Sequence, residues 1–233
     1  MLSTLAERDR RPEVMDDPGL DPAAHRAALR GLARINRFSC SDAILWPAIR
    51  ELARTHGKLR VLDVATGAGD VPIGLWQRAE RAGLNVAFAG CDLSPTALDH
   101  ARANARNAGA DVQFFRHDAI GESFAEPYDV VTSSLFLHHL DDAQAIAVLG
   151  HMQAAAQRCV LVNDLTRSKS GYALAWLGCR LLTRSWVVHT DGPLSVRAAF
   201  TAVEATALAN RAGLHPLAVT KHWPFRFLLR WDR

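Results

Sequence analysis

Beyond Gly57 the chain alternates short apolar runs with segments whose apolar residues recur every three or four positions, the rhythm of strands threaded between helices. The runs place strands near 59–65, 86–92, 112–117, 128–134 and 158–164, with helices at about 70–82, 95–108 and 141–156. Ser94-Pro95 supplies an N-cap and a first-turn proline for the second of these helices, and Asp141-Asp142 favour the start of the third. From roughly 165 to 200 an insertion interrupts the alternation. It contains Gly171 to Leu182, apolar nearly all round yet too short to cross a bilayer. Thr201-Ala202-Val203-Glu204 is a capping box that opens a helix running to about Ala212, where Gly213 stops it. Two last strands are expected near 214–221 and 225–231, the second with Phe225, Phe227, Leu229 and Trp231 alternating with Arg226 and Arg230.

Upstream, the first twenty residues are polar, carry Pro12 and Pro18, and predict a flexible lead-in. A helix is expected from Asp21-Pro22, with Ala28, Leu29, Leu32 and Ile35 on one face. A second follows Ser41-Asp42 through Ile44, Leu45, Ile49 and Leu52. The whole reads as an α/β fold around a mostly parallel sheet.

Composition narrows the class without naming a ligand. The 233 residues suit one α/β domain, and 49% hydrophobic with 22% charged content is ordinary for a globular protein. A net charge of +3 with scattered arginines argues against nucleic acid as a partner. Cys40, Cys91, Cys159 and Cys179 form no C-x-x-C pair and no metal spacing, so buried reduced thiols are expected. Acidic residues interrupt the N-terminus, which rules against a signal peptide, and no apolar run approaches the roughly 20 residues of a membrane span. The expected location is the cytoplasm.

The chemistry concentrates in Val61-Leu62-Asp63-Val64-Ala65-Thr66-Gly67-Ala68-Gly69-Asp70, a buried strand running into a Gly-x-Gly loop, followed by a strand end Gly90-Cys91-Asp92-Leu93. Glycines let the backbone approach a ligand where a Cβ would clash, and a carboxylate one strand on can accept hydrogen bonds from ribose hydroxyls. Such a βαβ unit binds a nucleoside. A dinucleotide would want a third glycine where Pro72 stands, and its pyrophosphate would be repelled by Asp63, four residues before Gly67. A ligand bearing an amino group and a sulfonium would accept that anion, and S-adenosylmethionine has both.

The D-V-A-T-G-A-G-D stretch resembles the first motif of the class I S-adenosylmethionine-dependent methyltransferases, and the likeness extends through most of the chain. The resemblance implies a seven-stranded, mostly parallel sheet with helices on both faces and an antiparallel last strand. It also implies a division into an N-terminal segment and helical lid, 1–52, and a cofactor-binding domain, 53–233, with the insertion as a substrate cap. Carried over residue by residue, it has Thr66, Gly67, Ala68 and Gly69 line the methionine and ribose. Asp63 helps hold the amino group, and Asp92, with Leu93 beside it, takes the ribose hydroxyls. Asp118 meets the adenine amino group, the Ala119 amide meets the ring, and Ser134 borders cofactor and acceptor at the end of the fourth strand.

The acceptor side is less determinate. The [DNS]-P-P-[YF] signature of base-methylating enzymes is absent, since the fourth strand exits through Ser133-Ser134-Leu135-Phe136. Metal-dependent catechol methyltransferases need an aspartate where Ser134 stands; Asn163-Asp164 could mimic only the other half of that site, so no metal is expected. A phenol or ring carbon must lose a proton. Candidate bases are a histidine of the His138-His139 pair, preferably His139, and His189 oriented by Asp191 in a loop Val187–Pro193. His222 is a third. Tyr172, Trp176, Leu177, Leu181, Trp186 and Phe200 in and beside the insertion favour a hydrophobic, ring-bearing small molecule, although core packing explains such residues equally. The layout resembles quinone C-methyltransferases and phenol O-methyltransferases, with oxygen favoured and ring-carbon methylation the alternative. An NAD-dependent oxidoreductase and a catalytically silent partner protein of the same fold are the competing classes. Monomer and homodimer both remain open.

Overall fold

The computed structural model describes residues 5–16, 19–24, 26–28, 31, 35 and 41–233. Seven strands form one sheet in the order β3-β2-β1-β4-β5-β7-β6: β1 Lys58–Val64, β2 Asn85–Asp92, β3 Val112–Arg116, β4 Tyr128–Ser134, β5 Ala156–Leu165, β6 Ala218–His222 and β7 Arg226–Asp232. The first five are parallel to one another, and β7 runs antiparallel to both β5 and β6. The chain reverses its direction of strand addition at β1, between β2 and β4, so the carboxyl ends of β1 and β4 flank the switch point where open α/β sheets bind ligands.

Helix α1, Ser41–His56, packs Ile44, Leu45, Ile49 and Ala53 with Leu75 of α2 (Asp70–Ala82) against Leu59, Val61 and Leu161. It thus belongs to the layer on one face of the sheet and continues past the boundary expected at 52. Helix α3, Pro95–Ala108, completes that layer behind a Ser94 cap whose hydroxyl accepts from the Ala97 amide at 3.2 Å. On the other face lie α4, Asp142–Ala155, and α7, Ala202–Arg211, packed with Leu149, Met152, Val160, Phe227 and Leu229. Both open on complete capping boxes, Asp141 with Gln144 and Thr201 with Glu204. The connection from β3 to β4 carries no helix, and a cleft of about 730 Å³ runs along β2, β3 and that connection, lined by Arg60, Asn85, Gln113, Phe115, Phe124 and Tyr128.

The insertion is a pair of helices, α5 (Lys169–Leu182) and α6 (Trp186–Ala198). Val187–Pro193 is therefore helix and not the expected loop. Gly192 is the reason: a Cβ there would run into Cys179 Sγ, so this glycine lets the two helices touch instead of ending the second.

The lead-in also differs from expectation. Residues 5–16 lie against α6 and the exit of β4, held by Arg8, whose guanidinium donates to the carbonyls of Ala198 (2.7 Å), His138 (3.0 Å) and Leu140 (2.8 Å) and sits 3.5 Å above the Phe200 ring. Asp9 pairs with Arg197, and the Arg167 side chain, buried, donates to the Leu5 and Ala6 carbonyls. Cys91, Cys159 and Cys179 are free and buried; Cys40, Leu29 and Leu32 lie outside the described residues. Among the described residues no helix is long and apolar enough to cross a membrane.

Candidate functional site

Asp63 is the penultimate residue of β1 and is almost wholly buried. Its two oxygens accept from hydroxyls: Thr66 Oγ1 to Oδ2 and Thr132 Oγ1 to Oδ1, both at 2.8 Å. Thr132 stands opposite Asp63 in the β1–β4 register, so one carboxylate ties the glycine loop to the neighbouring strand. Burial raises its pKa to about 7, against the two hydroxyl bonds, which favour ionisation, and with Asp92 nearby adding to the rise.

At the end of β2, Asp92 faces the same loop. Its Oδ2 accepts from the Gly67 amide and its Oδ1 from the Ser94 amide, each at 2.9 Å. Each oxygen of a carboxylate has a second lone pair, so both can still accept from a ligand hydroxyl. The loop itself needs its glycines for different reasons. Gly69 has φ +79° and a Cβ there would lie 2.9 Å from Phe114 Cζ, whereas Gly67, φ +56°, has open space where a Cβ would go. That open space is the cradle a ligand would fill. Asn104 of α3 donates to the Ala68 carbonyl at 3.0 Å and pins the crest of the loop.

Ala65 (φ 55°) and Leu135 (φ 57°), each just beyond the end of its strand, both adopt the left-handed conformation. Non-glycine residues there carry a cost on the order of 1–2 kcal/mol. Their occurrence beside one another on β1 and β4 marks the switch point as a place where the backbone is held off its minimum. Past β3, Asp118 Oδ1 accepts from the Ile120 amide (3.0 Å) and the Gly121 amide (3.1 Å), and buried Ala119 follows. Leu93 is more than half exposed next to Asp92. Ser134, half-buried at the tip of β4, accepts from Asn163 Nδ2 at 3.4 Å, while the Oδ1 of that buried asparagine has no hydrogen-bond partner among the described residues.

The exit of β4 is a 3-10 turn, Leu137–His139. His138 is buried, with its Nδ1 2.7 Å from Asp164 Oδ1 and its amide donating to Asp164 Oδ2 at 3.0 Å. Burial alone would lower the His138 pKa, but the Asp164 charge and hydrogen bond overcome it and raise it. Burial likewise opposes ionisation of Asp164, yet the histidine holds that carboxyl below its ordinary value. His139 reaches solvent and stacks on His138 with ring centroids 4.2 Å apart. Protein crowded around the ring and the charge of His138 push its pKa down to about 3.

The other expected bases occupy separate places. Asp191, buried in α6, accepts from the Val14 amide (2.8 Å) and the Met15 amide (3.1 Å), holding the N-terminal segment. His189 Nε2 lies 2.9 Å from the Thr183 carbonyl, and His222 Nε2 lies 2.9 Å from Thr220 Oγ1. Trp176, Leu177, Leu181 and Trp186 are exposed, while Phe200 is core. A cleft of about 540 Å³ runs between Ala27 and Gly31 and the α5–α6 corner, lined by Leu181, Leu182 and Thr183. Sequence reasoning missed Thr132, the pairing of His138 with Asp164, and Arg8. Strand order would have exposed the first two, because β4 lies between β1 and β5.

A methyltransferase domain model matches residues 61–158, the span from β1 into β5 that carries Asp63, the glycine loop, Asp92, Asp118, Thr132 and the His138–His139 turn. A demethylmenaquinone methyltransferase of Thermus thermophilus is 30% identical over 128 residues, covering 54% of this chain and 56% of that protein. A ubiquinone biosynthesis O-methyltransferase of Bordetella parapertussis is 30% identical over 171 residues, covering 72% of this chain and 67% of that protein. The chain spans about half the length of the demethylmenaquinone methyltransferases it matches, 56% of the Thermus thermophilus protein and 45% of one from Deinococcus radiodurans. Among solved structures, a plantazolicin methyltransferase in complex with S-adenosylhomocysteine superposes with a TM-score of 0.68 at 15% identity, covering 91% of each chain. Magnesium protoporphyrin IX methyltransferase from Synechocystis with the same ligand gives 0.57 at 16% identity, covering 94% of this chain and 91% of that one. With its sheet order, its glycine loop between two carboxylates and these relatives, the chain belongs to the class I S-adenosylmethionine-dependent methyltransferases.

Proposed function

We propose that this protein transfers the methyl group of S-adenosylmethionine to an oxygen of a hydrophobic aromatic small molecule, a phenol or quinol. The observation that carries the reading is the glycine loop held between two carboxylates, Asp63 buried behind it and Asp92 bonded to the Gly67 amide. In this reading Asp92 accepts from both ribose hydroxyls and Asp63 supplies the negative charge facing the methionine ammonium. Asp118, whose Oδ1 carries both of its backbone bonds, offers Oδ2 to the adenine amino group. Thr66, Gly67, Ala68 and Gly69 follow the ribose and methionine, Leu93 and Ala119 flank the adenine, and Ser134 borders the methyl group.

Methyl transfer from a sulfonium is an in-line displacement, so alignment of the acceptor oxygen behind the methyl is the main task. The acceptor proton passes to water at the β4 exit turn, where His139 reaches solvent but, with its pKa pushed down to about 3, is too weak to be the base expected of it. Asp191 and His189 serve instead to hold the N-terminal segment and the α5–α6 corner. The quinone-pathway names of the relatives support an aromatic acceptor, and the cleft between the N-terminal helix and α5–α6 supports a cap built from those two segments. Incubation with methyl-labelled S-adenosylmethionine and a panel of phenols and quinols tests this directly. Label transferred to oxygen supports it; label confined to ring carbon, or no transfer to any aromatic acceptor, overturns it.

A further inference from the structure

Among the described residues, Glu13, His138 and His139 each bring one ligand atom to within 4.8 Å of the others. The three come from two directions: Glu13 from the N-terminal segment lying against α6, and the histidines from the turn after β4. We propose that they form a binding site for a divalent transition-metal ion of the zinc type.

The chemistry of the set favours such an ion over magnesium or calcium, since two of the three donors are imidazole nitrogens. Two histidines and a glutamate are the donor set of an open zinc site, in which a fourth position is left for water or substrate. Metal-bound histidines characteristically have their other ring nitrogen fixed by a carboxylate, and His138 meets that condition: Nδ1 is taken by Asp164 at 2.7 Å, leaving Nε2 for the ion. Glu13 is oriented as well, accepting from Ser195 Oγ at 2.5 Å. Arg226 also sets its charge near His138, its guanidinium donating to Ser41 Oγ at 2.7 Å, while two other nearby cations are matched. Arg8 and Arg10 turn their guanidinium groups to the backbone carbonyls of this same turn and pair with Asp142 (3.5 Å) and Asp141 (3.8 Å). Bonds of about 2.1 Å at the tetrahedral angle put ligand atoms roughly 3.4 Å apart, so the ion would draw the three together from within 4.8 Å and turn the His139 ring out of its stack on His138, whose own ring Asp164 holds. In the fourth position the ion would meet the acceptor oxygen and stabilise its anion, a consequence that rests on the function proposed above; the binding itself does not.

The test is calorimetric titration of the full chain, stripped with chelator, with zinc chloride, and absorption spectroscopy of the cobalt(II) form. One ion per chain is expected, with the intense visible bands of a tetrahedral cobalt centre. Glu13→Gln and His139→Ala should each weaken binding at least tenfold, and Asp164→Asn by 10–100-fold as an outer-shell partner. His100→Ala, on the exposed face of α3, should leave it unchanged. Melting curves without metal identify any variant that fails to fold; Glu13→Gln, outside the core, keeps the test decisive if Asp164→Asn does not fold. No saturable zinc binding, or the same affinity in wild type, Glu13→Gln and His139→Ala, overturns the proposal. S-adenosylmethionine titrated in parallel separates the two readings: its failure to bind would sink the methyltransferase function and leave the metal site standing.

Discussion

Replacing Asp63 by asparagine separates what this buried carboxylate does for the fold from what it does for the ligand. Its pKa rises from 3.8 to about 7, chiefly through burial. At about 1.36 kcal/mol per pH unit, holding it ionised in the folded chain costs on the order of 4 kcal/mol relative to the unfolded one. Because the folded form binds the proton more tightly, stability contributed by this group is present below about pH 4, declines as pH rises to about 7, and is level above that. Asparagine keeps the shape and removes the charge. The Thr66 and Thr132 hydroxyls, which donate to Asp63 now, can each donate or accept, so one can turn to accept from the new amide. Asp63→Asn should therefore melt no lower than wild type at pH 8 and lose most of the pH dependence of melting between pH 5 and 8. Its affinity for S-adenosylmethionine should fall 10–100-fold, the equivalent of one hydrogen bond to a charged group, about 1.5–3 kcal/mol. Calorimetric melting at several pH values and titration with the cofactor check both. A variant that melts well below wild type at pH 8 while binding the cofactor normally would refute the reasoning, because the carboxylate would then be structural only.

Other consequences concern the glycine loop and the two arginines that hold the N-terminal segment. Gly69→Ala meets Phe114 and Ala101 at a positive φ and should destabilise the chain by about 1–3 kcal/mol in thermal melting, whereas Gly67→Ala, with open space around it, should cost roughly 1–2 kcal/mol of backbone strain and mainly abolish cofactor binding. Arg167→Met breaks a buried guanidinium's bonds to Glu204 and to the Leu5, Ala6 and Ala199 carbonyls, and, because Glu204 keeps access to water, should lower stability by about 1–3 kcal/mol in denaturant unfolding. Arg8→Ala should free the N-terminal segment to protease while leaving cofactor affinity within a factor of two or three, because its bonds go to the β4 exit turn and α6 and not to the glycine loop.

The strands, the helices flanking the glycine loop and the place of that loop between two carboxylates were legible because their signals are local. Gly67, Gly69 and Asp92 lie within one βαβ unit, and Ser94, Asp141 and Thr201 cap the helices they precede. The parts that escaped depend on residues far apart in sequence. Polar, arginine-rich residues 5–16 look solvated until α6 and the β4 exit turn present carbonyls for Arg8 to satisfy, 130 and 190 positions away. Gly192-Pro193 reads as a break until Cys179 is seen to pack against the glycine. Asn163-Asp164 suggested half of a catechol-type metal site, whereas the fold turns both Asp164 oxygens to His138, through its ring and its amide. Asp191, expected beside a base, instead grips the Val14 and Met15 amides from a helix no loop-based reading would place there.

The central claim, that the loop between Asp63 and Asp92 is a pocket for S-adenosylmethionine, is tested most directly by titrating the purified full chain with S-adenosylmethionine, S-adenosylhomocysteine and NAD. The account predicts one molecule of either sulfur nucleoside per chain, no NAD binding, and at least a tenfold loss in Asp92→Ala, which removes both ribose acceptors. Binding of NAD in place of the sulfur nucleosides, or undiminished S-adenosylmethionine binding by Asp92→Ala, would contradict it.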